Sequence, residues 1–211
     1  MLKNEKERAK KIFSLLKKEY PVVKSALEFT NAFELLIATI LSAQTTDVQI
    51  NKITPKLFKK YKSPKDYVNV PNEELEEDIH SSGFFRAKAR SIKNSCAVLM
   101  EKYNGKMPKT FEELNALPGV GRKTASVVVG NAYGIPAIAV DTHVKRLSNL
   151  LGFIKSDDPD KIEIKLKELL PEKDWVNGSH LIIAHGRKIC IARRPKCREC
   201  VLGDLCPSFN P

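Results

Sequence analysis

The chain has 211 residues, 42% of them hydrophobic, with 10 Gly and 12 Pro, so an ordered globular protein with a substantial core is expected. Thirty-six Lys and Arg stand against 25 Asp and Glu. The resulting charge of +11 favours a polyanionic partner, because each neutralised phosphate releases condensed counterions, although a lysine-rich surface serving solubility gives the same count. The opening MLKNEKERAKKIF is too charged for a signal-peptide core and no apolar run spans a bilayer, which excludes a membrane partner and points to a soluble, cytoplasmic protein.

Helical spacing dominates the pattern. Ile12, Phe13, Leu15 and Leu16 form an apolar stripe in the first segment. Asn31 can cap a helix running to Leu41, with Phe33, Leu36, Ile37, Ile40 and Leu41 on its buried side. A helix from Asp47 to Tyr61 follows, which Pro55 could kink or split. Ser63-Pro64 and Pro71-Asn72 start short helices, and Gly83 stops the second. Phe84 to Tyr103 reads as one long helix closed by Asn104-Gly105, and Thr110 with Glu113 makes a capping box before Leu114. Beyond a glycine turn come a helix from Arg122 to Tyr133, a β-branched run Ile135 to Val140, and helices near 142–151, 159–170 and 174–188. The β-branched run has no partner strand and reads as a buried extended linker. The fold class is all-α.

The turn Leu117-Pro118-Gly119-Val120-Gly121 lies between two helices, and Arg122-Lys123-Thr124-Ala125 opens the second. Two glycines one residue apart let the backbone turn sharply and approach another surface closely. Amides at a helix start are unsatisfied and carry its positive dipole end, so such a turn can hold a phosphate oxygen. An ordinary hairpin of two helices has the same outline. The spacing excludes a Walker loop, which needs four residues between its glycine and the Gly-Lys-Ser/Thr end.

Five cysteines are present, Cys96 alone and Cys190, Cys197, Cys200 and Cys206 together. Inside a cell a disulfide is not expected, and four thiols in so short a segment call for a metal. A zinc ribbon would show two CxxC pairs, and only Cys197–Cys200 is one. Spacing leaves zinc and an iron–sulfur cluster both open. Cys96, on the long helix, reads as a buried free thiol.

LPGVGRKTA at 117–125 followed by AVDTHVKRL at 139–147 resembles the helix-hairpin-helix and catalytic-aspartate signature of the endonuclease III family of DNA glycosylases. LLIATILSAQTTD at 35–47, GFFRAKA at 83–89 and the cysteine group fall in that family's order and spacing, so the resemblance extends over nearly the whole chain. It implies a damaged base flipped from double-stranded DNA, followed by attack on the sugar. Lys123 matches the family's catalytic lysine and Asp141 its essential carboxylate. Asp141 before a helix is equally an ordinary N-cap, and the two roles are compatible. A lysine attacks only when unprotonated; partial burial, the helix N-terminus and Arg122 would each favour the neutral amine.

By the same resemblance Gly119, Val120, Gly121 and Arg122 contact DNA at the hairpin. Gln44 matches the inserting glutamine and Phe84 the wedge, although helical periodicity alone would make Phe84 or Phe85 core. Lys88 and Arg90 could reach phosphate or be merely solvated. Arg193 belongs to a basic group around the cysteines that suggests a second phosphate contact. The six-two-five cysteine spacing is similar to the family's [4Fe-4S] loop, which selects that cofactor over zinc.

The implied architecture is a six-helix domain at 25–135 containing the hairpin, with 1–24 and 136–211 forming the cluster domain and a cleft between them. The enzyme would act as a monomer on DNA with a damaged base or abasic site. Lys123 implies a bifunctional glycosylase and abasic-site lyase, and the resemblance implies oxidised or ring-saturated pyrimidines as substrates. Adenine and mismatch-thymine branches of the superfamily lack the lysine. A non-catalytic DNA-binding module would need neither Lys123 nor Asp141.

Overall fold

The computed structural model describes residues 2–210, and all regular structure among them is helical. Backbone contacts divide the chain into two compact units, Ser25–Ile135 and Met1–Lys24 with Pro136–Pro211. The first helix, α1 (Leu2–Glu19), buries Ala9, Ile12, Phe13 and Leu16, while Leu15 is half-buried.

The continuous unit holds α2 (Ala32–Leu41), α3 (Asp47–Lys60), α4 (Pro64–Asn69), α5 (Asn72–Asp78), α6 (Phe85–Tyr103), α7 (Phe111–Asn115) and α8 (Arg122–Tyr133). It therefore has seven α-helices rather than six, because the Thr110–Glu113 capping box closes on both sides and starts the five-residue α7. α2 is capped by Asn31, whose side chain accepts from the Glu34 amide at 3.0 Å. Leu35 through Leu41 are all buried, so α2 is enclosed on every side rather than along one stripe. It packs against α3, α6 and α8 and forms the centre of this unit.

Pro55 does not split α3, which runs unbroken through it. Gly83 terminates a 3-10 turn, His80–Ser82, that follows α5. The long helix begins one residue later than expected, at Phe85, since Phe84 adopts left-handed backbone (φ 48°). α4 and α5 both pack on α6.

In the other unit, residues 136–140 form no strand; Ala137 and Ile138 are buried, as an extended linker would place them. α9 (Thr142–Leu150), α10 (Pro159–Leu169) and α11 (Trp175–Lys188) follow. α11 packs on α1 and α9, and α10 packs on the same two helices. Arg8 of α1 donates to the carbonyls of Leu151 (2.7 Å) and Leu205 (3.0 Å), tying the first helix to the cysteine segment. No helix among the described residues is long and apolar enough to cross a membrane.

Candidate functional site

The glycine turn between α7 and α8 is fastened to α6 from behind. Ser95 Oγ donates to the Pro118 carbonyl at 2.6 Å, and Gly119 (φ 77°) lies so close to α6 that a Cβ there would be 2.6 Å from Ser91 Cβ. Val120 is only 5% exposed, and its amide donates to the Leu117 carbonyl at 3.0 Å. Val120 is therefore an anchor of the turn, and neither its side chain nor its amide is presented outward as the DNA contact expected from sequence.

Gly121 differs: nothing lies within 4 Å of a Cβ built on it, so no internal packing requires a glycine there. It caps α8 without any side-chain hydrogen bond, leaving the first-turn amides of that helix at an exposed end. Arg122 is exposed and lays its guanidinium 5.1 Å from the Phe111 ring centroid. Lys123, second residue of α8, is exposed, so the partial burial expected for it is absent.

Asp141 is half-buried and caps α9, accepting from the Val144 amide at 2.8 Å. That bond fixes one carboxylate oxygen. On α11, burial lowers the pKa of His180, with Arg187 adding to the shift and the Asp141 charge opposing it. His180 was not singled out from sequence, where a histidine on a helix face carries no signal of a nearby carboxylate. His143 packs against Gly186, where a Cβ would come 2.9 Å from its Nδ1, which supports a structural role.

Gln44 and Phe84 are placed alike. Both are non-glycine residues with positive φ, 56° and 48°, and both are exposed, Phe84 at 68%. Phe84 is thus not core, while Phe85 is half-buried against the exposed His80 ring, with centroids 4.5 Å apart. Strained, solvent-facing residues of this kind collect where function holds them. The turns that carry them meet at Lys88, which is 5% exposed and donates to Thr45 Oγ1 at 3.0 Å and the Ser82 carbonyl at 2.7 Å. Burial lowers its pKa. Lys88 is therefore not the phosphate contact considered from sequence, whereas Arg90 is exposed.

The four C-terminal cysteines are unpaired, half-buried and line one pocket with Leu147, Leu150, Leu151 and Leu202. Burial raises the pKa of Cys190 and of Cys200, and the neighbouring thiols push the same way. The Arg146 guanidinium opposes this at Cys190, and the Leu202 amide does so at Cys200. Buried thiols held in their neutral form, as at Cys190 and Cys200, suit a cationic group beside them, which would reverse the balance. Among the described residues no three His, Cys, Asp or Glu side chains are grouped to share one metal ion. Arg146 Nη2 holds the Cys190 carbonyl at 2.6 Å, and His185 Nε2 lies 3.5 Å from Cys200 Sγ while its Nδ1 meets Tyr20 Oη at 3.1 Å. Arg193 is exposed between the first two cysteines.

Residues 37–172 match the model of the HhH-GPD superfamily of base excision DNA repair proteins. The chain is 50% identical over 206 residues to endonuclease III of Synechocystis sp., covering 97% of this chain and 94% of that protein. It is 42% identical to endonuclease III of Escherichia coli, with 92% of each covered. Among solved structures, a trapped endonuclease III–DNA covalent intermediate is similar at 48% identity with a TM-score of 0.94, covering 97% of this chain and 96% of that one. A thermostable thymine-DNA glycosylase is similar at 26% identity and a TM-score of 0.85, covering 96% and 97%.

These matches place the chain in a superfamily of base-excision repair proteins. Within it, the chain belongs to the endonuclease III family, and is a bifunctional DNA glycosylase and abasic-site lyase.

Proposed function

We propose that Lys123 is the nucleophile of this enzyme and that oxidised or ring-saturated pyrimidines in double-stranded DNA are its substrates. The carrying observation is the start of α8: an exposed helix end with no side-chain cap, behind an open glycine, with Lys123 exposed in its first turn. The hairpin amides and Arg122 bind backbone phosphate there, which sets the sugar's position relative to the amine.

In the reaction, the Lys123 nitrogen attacks C1′ and the bond from C1′ to the damaged base breaks. Asp141, held in one orientation by the Val144 amide, stabilises the positive charge that develops on the sugar. The adduct loses a proton and opens to a Schiff base, which acts as an electron sink. Loss of a proton from C2′ then expels the 3′-phosphate by β-elimination and cuts the strand. Hydrolysis returns the free amine. The structure of a relative described as a trapped covalent intermediate supports a covalent route.

Gln44 and Phe84 fill the space left by the extruded nucleotide, the amide meeting the orphaned base and the ring stacking in the helix. We infer a [4Fe-4S] cluster on Cys190, Cys197, Cys200 and Cys206. The four thiols line one pocket, and their six-two-five spacing is similar to the family's cluster loop. When bound it would pin the basic loop that presents Arg193, and no reaction step passes through it. The protein acts as a monomer.

A panel of duplexes, each with one oxidised pyrimidine, ring-saturated pyrimidine, abasic site or mispaired adenine or thymine, tests the substrate. Strand cleavage is expected on the first three. Base release from the mispairs without cleavage would replace this reading by a monofunctional one. Lys123→Gln is expected to lose cleavage while still binding abasic DNA.

A further inference from the structure

We propose that Lys88 is a positioning residue for base extrusion: it locks the turn bearing Gln44 to the turn bearing Phe84, so that both side chains meet the duplex as one preset unit. The inference rests on Gln44 and Phe84 being the residues that enter the helix.

Both turns are held in costly backbone. Gln44 and Phe84 have positive φ, Gly83 immediately before Phe84 does too, and neither Gln44 nor Phe84 buries its side chain in return. Such conformations persist only where the surroundings determine them. Those surroundings are a closed three-residue network. Lys88 Nζ donates to Thr45 Oγ1 (3.0 Å), next in sequence to Gln44, and to the carbonyl of Ser82 (2.7 Å), two residues before Phe84. The Thr45 hydroxyl in turn donates to the same Ser82 carbonyl. Ser82 is itself buried, at 1% exposure.

The ammonium is a poor choice for filling space. Both its acceptors are neutral oxygens, and burial works against its charge. An apolar side chain would fill the same volume without that desolvation. What only the ammonium supplies is a pair of directed hydrogen bonds to two segments 37 residues apart, Thr45 and Ser82. Arg86 and Arg90, on the same helix, are exposed, so the buried position of Lys88 is not a general property of the basic residues of α6. Fixing both turns before DNA arrives removes ordering that would otherwise be required during extrusion.

The test compares wild type with Lys88→Met and Thr45→Val. Local unstacking is read by the fluorescence of 2-aminopurine beside an abasic site in duplex DNA. Turnover on that duplex is resolved into kcat and KM, and borohydride trapping is measured on single-stranded abasic DNA, where no base has to be displaced. Both variants are expected to lose most of the fluorescence rise and to lower kcat on duplex by about tenfold or more, with trapping on single strands retained. Wild-type fluorescence and kcat in the variants would overturn the proposal, as would an equal loss on duplex and single strand. Should Lys88→Met not fold, by circular dichroism, Thr45→Val decides, since it removes both network bonds of the Thr45 hydroxyl and leaves the lysine on the Ser82 carbonyl. Absence of trapping by the wild type would strike the Lys123 assignment instead. The fluorescence comparison needs no chemistry and still judges Lys88.

Discussion

Gly119 has no room for a side chain because Ser91 lies against it: a Cβ there would fall 2.6 Å from Ser91 Cβ and 3.3 Å from Ser91 Cα. Two residues on, Gly121 faces open space with ordinary backbone, φ −88°. The two glycines of the hairpin thus have different reasons to be glycine. The first lets α6 support the turn, and the second leaves the outer surface bare.

Their alanine variants should separate stability from binding. Gly119→Ala combines positive φ with steric overlap and is expected to cost about 1–3 kcal/mol in unfolding free energy, measured by denaturant titration. Gly121→Ala should stay within about 0.5 kcal/mol of wild type yet weaken affinity for abasic duplex, since its added methyl meets only the ligand. Equal stability losses in the two variants would contradict this division.

Arg193 should act through phosphate alone. Arg193→Ala is expected to weaken binding to duplexes of unrelated sequence uniformly and to reduce the salt slope of log Kd by about one contact's worth. Binding measured over a series of salt concentrations checks it. An unchanged slope would remove Arg193 from the interface.

The purified protein should contain iron and acid-labile sulfide in matching amounts, with no stoichiometric zinc, by elemental and sulfide analysis. Removing the metal is expected to open residues 190–206 to proteolysis at Arg193 and Arg194. Stoichiometric zinc without sulfide would restore the alternative that the spacing leaves open.

Asp66 supplies a pH-dependent share of stability beneath α6. Burial alone would raise its pKa, but hydrogen bonds from Ser63 Oγ (2.9 Å) and the amides of Ser63 (2.8 Å) and Lys62 (2.9 Å) outweigh it, and the net shift is downward. A carboxylate depressed on folding contributes fully above its unfolded pKa, near 3.9, and loses that contribution as pH falls through the lower folded value. Asp66→Asn is therefore expected to destabilise by about 1 kcal/mol at neutral pH. The gap to wild type should shrink below about pH 4. Melting curves at a series of pH values test this, and a gap that widens in acid would contradict it.

Much of the local structure was legible in the sequence because it is written in short-range chemistry. Asn31, Thr110 and Asp141 cap the helices they precede, and Gly134 closes α8 with φ 67°. What escaped were residues whose burial depends on distant partners. Lys88 stands four residues before Ile92 and eight before Cys96, on the buried stripe of α6. Its register carried the signal, but a lysine is ordinarily read as solvated, and its acceptors belong to other turns. Periodicity alone misplaces Phe84 in the opposite sense, as core, where the resemblance makes it an exposed wedge. Its apolar ring fits a helical core pattern, and only the left-handed backbone after Gly83 turns it outward. The burial of Val120 depends on the hairpin's seat against α6, which no local pattern encodes.

In the proposed mechanism the amine of Lys123 forms the covalent bond to DNA. Tandem mass spectrometry of the borohydride-reduced adduct with abasic duplex, after nuclease and protease digestion, locates that bond directly. The deoxyribose remnant is expected on Lys123 and absent in Lys123→Gln. A remnant on another lysine or on the N-terminal amine of the wild-type protein would contradict the assignment.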